Sequence, residues 1–207
     1  MTALTIELSG AHLLRVRRGV QLVIGCVMVG VGLAVLVRCG LGLDPYRSLL
    51  AGIGHVAGVS FGTTNIAVGL LLVSLAWWPG RVQPRIGTLA QPVMVGLTLN
   101  ALLPHLAAVA GGAVDRTLLA VVALLLTGAG GGLYLGADLG ATSFDAVSLA
   151  VHRALPGRSF AAVYSLLLTA AVVAAWSVGG PVGVVTVAAM PALGPVTSAV
   201  RRWSLVW

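Results

Sequence analysis

Apolar runs of helical length recur along the chain, separated by short polar or glycine-rich gaps. The first extends from Gly19 to Val37, between a basic cluster at Arg15, Arg17 and Arg18 and the single Arg38. Others cover Phe61 to Trp78, Ile86 to Ala110, Thr117 to Ala137, Phe160 to Val178 and Val182 to Val200. A bilayer core takes ~20 residues of helix, so these runs predict about six spans, the third of them bent at Pro92 and Pro104. Two intervening segments cannot be straight spans. Residues 40–58 are Gly-rich and interrupted by Asp44-Pro45, where a proline that fixes helical φ and lacks an N–H predicts a short helix opening at Pro45. Residues 138–158 form a second broken segment of the same kind.

The order of spans and breaks repeats. Gly30, Gly32, Leu33, Gly40, Ser48 and Leu49 recur as Gly130, Gly132, Leu133, Gly140, Ser148 and Leu149, and one extra residue brings Asp44 onto Asp145. The register then slips slightly and holds, so that Gly58, Ser60, Phe61, Val73, Ala76, Trp77 and Gly80 match Gly157, Ser159, Phe160, Val172, Ala175, Trp176 and Gly179. With only 3 Phe and 5 Trp in the chain, the Phe and Trp matches carry more weight than the glycines. Three spans per copy make the second copy enter the membrane upside down relative to the first, a plan shared by many secondary transporters. The chain thus divides into a cytoplasmic N-terminal segment (1–18), a first three-span repeat (19–110), a second (111–200) and a cytoplasmic tail (201–207).

Composition excludes a water-soluble globule. Hydrophobic residues make up 58% of the 207 residues and charged ones 8%, whereas a soluble surface needs roughly a quarter of its residues charged. The net charge of +7 would suggest nucleic acid in a soluble protein, but all 12 basic residues are Arg and most lie in gaps between apolar runs. With a cytoplasmic N-terminus, Arg15, Arg17, Arg18, Arg81, Arg85, Arg153, Arg158, Arg201 and Arg202 fall inside, and only Arg38, Arg47 and Arg116 outside, as the positive-inside rule requires. Trp77 and Trp78 would then mark the inner interface, Trp176 the outer, and Trp203 and Trp207 the inner again. Cys26 and Cys39 support neither a disulfide framework nor a metal site. The lipoprotein-like Val23-Ile24-Gly25-Cys26 follows too short an apolar stretch to be a cleavage box.

The breaks concentrate the candidate chemistry, because non-helical backbone at membrane depth survives only where protein buries it or water reaches it. Asp44 is placed as N-cap before Pro45, and Thr142 and Asp145 have capping-box spacing. Two readings follow. The carboxylates could simply satisfy orphan N–H groups and the helix dipole, or two half-helices could meet around a polar cavity where Asp44, Asp145, Thr142 and Ser143 bind an ion, a proton or a polar substrate. Arg38 and Asp138 occupy equivalent positions with opposite charge and would pair if both breaks fold inward; otherwise Arg38 snorkels to the interface. His55 and His152 would share the Asp faces of their short helices, as proton relays or as plain interfacial residues. Gly128, Gly132, Gly136 and Gly140 recur every four residues and predict one smooth ridge for close helix packing. Enzyme motifs are missing: there is no His-Glu-x-x-His, Cys-x-x-Cys or Gly-x-Ser-x-Gly, and no Lys at all.

The segments Gly40-Leu41-Gly42-Leu43-Asp44-Pro45, Gly58-Val59-Ser60-Phe61-Gly62-Thr63 and Leu139-Gly140-Ala141-Thr142-Ser143-Phe144-Asp145 resemble the YczE/YyaS/YitT family of small bacterial integral membrane proteins. The resemblance covers most of the chain, from about Val20 to Val200. It implies a multi-span inner-membrane protein of unestablished activity and supplies no catalytic residues. Some relatives carry a further soluble C-terminal domain, for which this chain leaves no room.

The resulting expectation is an all-α polytopic transmembrane helix bundle of about six spans plus two broken or re-entrant segments, built as two inverted three-span repeats. Its location would be the bacterial plasma membrane, with both termini cytoplasmic. The expected function is a small secondary transporter or exporter of an unidentified small molecule or ion, with its site at the two breaks. The alternative is a non-transporting scaffold or accessory protein. No enzyme activity, cofactor, metal or nucleic-acid partner is expected; the lipid bilayer is, and the sequence leaves a homodimer along an exposed glycine face open.

Overall fold

The computed structural model describes residues 2–206, with side-chain surroundings from Leu14 to Ser204; Trp207, assigned above to the inner interface, lies outside the described residues. All regular structure among them is helical: α1 (Thr2–Cys39), α2 (Pro45–Ala57), α3 (Phe61–Trp77), α4 (Ile86–Leu102), α5 (Ala113–Gly136), α6 (Ser143–Ala154), α7 (Phe160–Ser177) and α8 (Val184–Val206). The helix starts follow from local chemistry. The Asp44 carboxylate accepts the Arg47 N–H at 3.2 Å with Pro45 in the first turn, and Ser60, Thr142 and Ser159 accept N–H bonds in the same way at the starts of α3, α6 and α7. Helix α2 stops at Gly58, whose φ of 66° lets its N–H turn back to the Gly54 and His55 carbonyls.

Four helical stretches are long and apolar enough to cross a membrane: Leu14–Cys39, Ala113–Gly136, Phe160–Ser177 and Val184–Ser204. A fifth arises if α2 and α3, bent by 113° at Gly58, count as one broken span. The remaining expected span, Ile86 to Ala110, is shorter than the sequence reading: α4 ends at Leu102. Pro104 explains the stop, since it has no N–H for the ladder and its ring clashes with the preceding turn. The 17 residues of α4 reach ~25 Å, short of a ~30 Å hydrocarbon core.

Helices α1 and α5 cross at the centre, backbone against backbone. A Cβ on Gly25 would lie 2.7 Å from the Gly130 carbonyl oxygen, and one on Gly130 would lie 2.7 Å from that of Gly25. Further along α1, Gly32 faces Ala123 and Thr127, so the two helices run antiparallel. By contrast α4 runs parallel to α1, with Gly87 beside Leu22 and Thr98 beside Gly30, and α8 runs parallel to α5. The α8 contact uses Gly128 against Val196, Gly132 against Val200 and Gly136 against Ser204. Gly140, expected on the same ridge, is not part of it: α5 has ended, and Gly140 lies in the second break at φ 140°, against Thr88.

The short helices cross over. Helix α2 packs on α7, and α6 packs on α3. The extended backbone of each break finds its partners at the start of a long helix. Leu43 donates to the Pro181 carbonyl at 3.1 Å and Val185 to that of Leu41 at 3.0 Å, while Gly87 donates to the carbonyl of Leu139 at 2.8 Å. These bonds satisfy polar backbone that apolar surroundings would leave costly. The outer surface is apolar, and Trp78 and Trp176 are 87% and 79% exposed. A surface so apolar belongs against lipid.

Candidate functional site

The starts of α2 and α6 open on one cavity of about 340 Å³. Asp44, Pro45, Tyr46 and Arg47 enter it from the first break, and Thr142, Phe144 and Asp145 from the second. Cys26 of α1, Gln91 of α4 and Thr127 and Tyr134 of α5 complete the polar side, while Val29 of α1, Leu168 of α7 and Met190 and Leu193 of α8 add apolar wall. Cys26 and Val29 lie near the middle of the Leu14–Cys39 span, so the cavity sits well inside the apolar layer.

Arg47 lies among the acids. Its Nη1 is 3.9 Å from the Asp44 carboxylate, and its guanidinium carbon stands 4.8 Å from the centroid of the Tyr46 ring. Both charged side chains are nearly buried, at 14% and 12% exposure. Arg47 also lies within electrostatic reach of Asp145. The Asp145 carboxylate faces the Thr142 and Tyr164 hydroxyls, while Thr142 Oγ1 accepts the Asp145 N–H at 3.2 Å. The Thr142 side of the capping box read from the sequence is thus in place. An aromatic chain runs beside it: Tyr46 to Phe144 at 5.2 Å, Phe144 to Tyr164 at 5.5 Å and Tyr164 to Phe160 at 5.7 Å between centroids.

The caps revise the correspondence between the breaks. Asp44 and Thr142 hold the same position, one residue before their helices. The third helical residue is therefore Arg47 in one and Asp145 in the other, and the second is Tyr46 in one and Phe144 in the other. Matching Asp44 to Asp145 by residue type is three residues out of step with the structure.

Other expected site residues lie elsewhere. Arg38 is hydrogen-bonded to the Leu103 carbonyl at the end of α4, and Arg116 donates to the Cys39 carbonyl at the end of α1 at 2.8 Å. Asp138 forms an exposed ion pair with Arg85 at 3.5 Å. Arg38 and Asp138 therefore do not pair, because each break folds against its own long-helix partner and holds them apart. Ser143 is 2% exposed with a hydroxyl that lacks a hydrogen-bond partner, and it faces Gly69 of α3, not the cavity. His55 is exposed, and the His152 ring packs edge-on against Phe160 at 5.8 Å.

Sequence reasoning missed the aromatic and cationic half of the site. It counted Arg47 among the outward-facing charges. A signal was present nonetheless: the chain has 3 Tyr, and all of them, Tyr46, Tyr134 and Tyr164, line this cavity when tyrosine in a membrane protein ordinarily favours the interface.

Residues 16–202 match a family of unknown function, DUF6198. The chain belongs to this family. Proteins similar to this DUF6198 member include the uncharacterized membrane protein YczE of Bacillus subtilis, 26% identical over 167 residues, which cover 79% of this chain and 75% of that protein. An uncharacterized protein of Haemophilus influenzae is 27% identical over 173 residues, 82% of this chain and 76% of its own. The uncharacterized protein YyaS of Bacillus subtilis is 24% identical over 184 residues, 79% of this chain and 82% of that protein. No solved structure matches. The resemblance to YczE and YyaS seen in the glycine-rich motifs is thereby borne out, and with it the reading of a membrane protein.

Proposed function

We propose that this DUF6198 protein is a small secondary transporter or exporter whose site is the cavity between the two breaks, with Asp44 and Asp145 as its substrate or coupling carboxylates. One observation carries the reading: charged and polar side chains from both helix breaks, remote in sequence, converge on one cavity inside an apolar bundle. Ionisable groups at such depth are costly and concentrate where substrates or ions bind. The proposed architecture is a pair of inverted repeats, 19–110 and 111–200. The antiparallel α1–α5 crossing, the parallel α1–α4 and α5–α8 pairs and the exchange of short helices support it. Cytoplasmic termini are the orientation we favour, and moving Arg47 into the cavity leaves only Arg38 and Arg116 on the outer side, which strengthens the Arg asymmetry.

The test is flux in proteoliposomes, read as charge movement under an imposed proton or sodium gradient against a panel of small ionic and polar solutes. Wild-type protein should move at least one of them. Asp44→Asn/Asp145→Asn, shown to be folded by its elution profile, should not. Undiminished flux in that variant would remove both residues from the site. A scaffold role is the second reading, favoured by the caps themselves, since Asp44 and Asp145 each satisfy a helix start. Substrate-dependent flux would rule it out.

A further inference from the structure

Charge and lining together narrow what the cavity would hold, on the reading that it is a substrate site. Asp44 and Asp145 face a single guanidinium, and no basic residue of another helix lines the cavity to balance the second carboxylate. With both carboxylates ionised, one negative charge is left in excess. Away from bulk water an uncompensated charge is expensive, so the site takes up either a proton or a cation to balance it. Much of the remaining wall is apolar or aromatic, a poor replacement for the hydration shell of a small inorganic ion but a good bed for an organic one.

Arg47 already demonstrates the chemistry. It lays a delocalised cation beside Asp44 and over the face of Tyr46. The acid on the other helix has neutral donors instead, Thr142 and Tyr164, with the rings of Phe144 and Tyr164 beside it. The crossing of the two breaks therefore presents two carboxylate-and-aromatic positions, one filled by the protein's own guanidinium. We propose that the cavity binds a hydrophobic organic monocation, its charge against Asp145 and its apolar body against Phe144, Met190 and Leu193.

The probe is tetraphenylphosphonium, measured by equilibrium dialysis with the full-length protein in detergent. A neutral analogue, triphenylphosphine oxide, serves as competitor. Saturable binding is expected, with no displacement by triphenylphosphine oxide. Asp145→Asn should weaken it by about tenfold or more, as removal of a buried charge partner does. Arg47→Gln should tighten it, because the like charge beside the site is gone; a misfolded variant could not give that result. Absence of saturable binding by the folded wild type, displacement by triphenylphosphine oxide, or weaker binding in Arg47→Gln would each overturn the proposal. Saturable binding without flux in proteoliposomes would uphold the ligand class and sink the transport reading. Gradient-driven flux of other solutes without tetraphenylphosphonium binding would do the reverse.

Discussion

Thr142 caps α6 by accepting the Asp145 N–H and also lines the cavity with Asp145, so the same side chain serves both the helix and the pocket. Thr142→Ala should cost about 1 kcal/mol of stability, as loss of an N-cap does, whereas Thr142→Ser should be near neutral; thermal unfolding in detergent compares the two. Crowding makes a second residue-scale prediction. A side chain at Gly130 must push into the Gly25 carbonyl, 2.7 Å from its Cβ, so Gly130→Val should destabilise by about 1–3 kcal/mol or more, far beyond the same change at Gly19, which has nothing within 4 Å. Much at this scale was legible in the sequence: Asp before Pro, and Thr three residues before Asp, name their caps through local geometry alone. What was not legible is which residues correspond across the two breaks. Matching like with like pairs the two acids, but backbone geometry pairs caps, and it sets Arg47 opposite Asp145.

Element boundaries follow the same division. Pro45, Gly58 and Ser60 start and stop α2 and α3 by local rules, so the broken segments could be read in advance. The end of α4 could not, because an unbroken apolar run hid the effect of Pro104. Replacing it tests that cause: Pro104→Ala should let α4 continue by about one turn, seen as slowed amide exchange from Leu103 to Leu106. At Gly58 the φ of 66° and the empty space around it isolate the backbone contribution. Gly58→Ala should therefore cost about 1 kcal/mol, without any steric clash, in the same unfolding measurement. Which long helix each short one packs against is a contact between halves of the chain, and no local pattern announces it.

For the whole molecule, the proposed orientation makes a labelling prediction. Both native cysteines are fully buried, so single cysteines introduced at Gln83 and Val114 report alone. An impermeant maleimide added to intact cells should modify Val114→Cys and spare Gln83→Cys until the membrane is opened; the reverse pattern would turn the protein over. The positive-inside asymmetry carries this much from sequence, because loop charge depends on neighbours in the chain and not on packing.

The crossing of the two breaks has a further consequence. Two identical halves inverted across a membrane would hold their inward-open and outward-open conformers, related by a two-fold axis in the membrane plane, at equal energy, and either side would be open half the time. A cation on one half and an acid on the other at the matching position lift that degeneracy. If the proposed inverted repeats exchange shape, Arg47 opposite Asp145 would make one side the preferred resting state before a ligand or a gradient is applied.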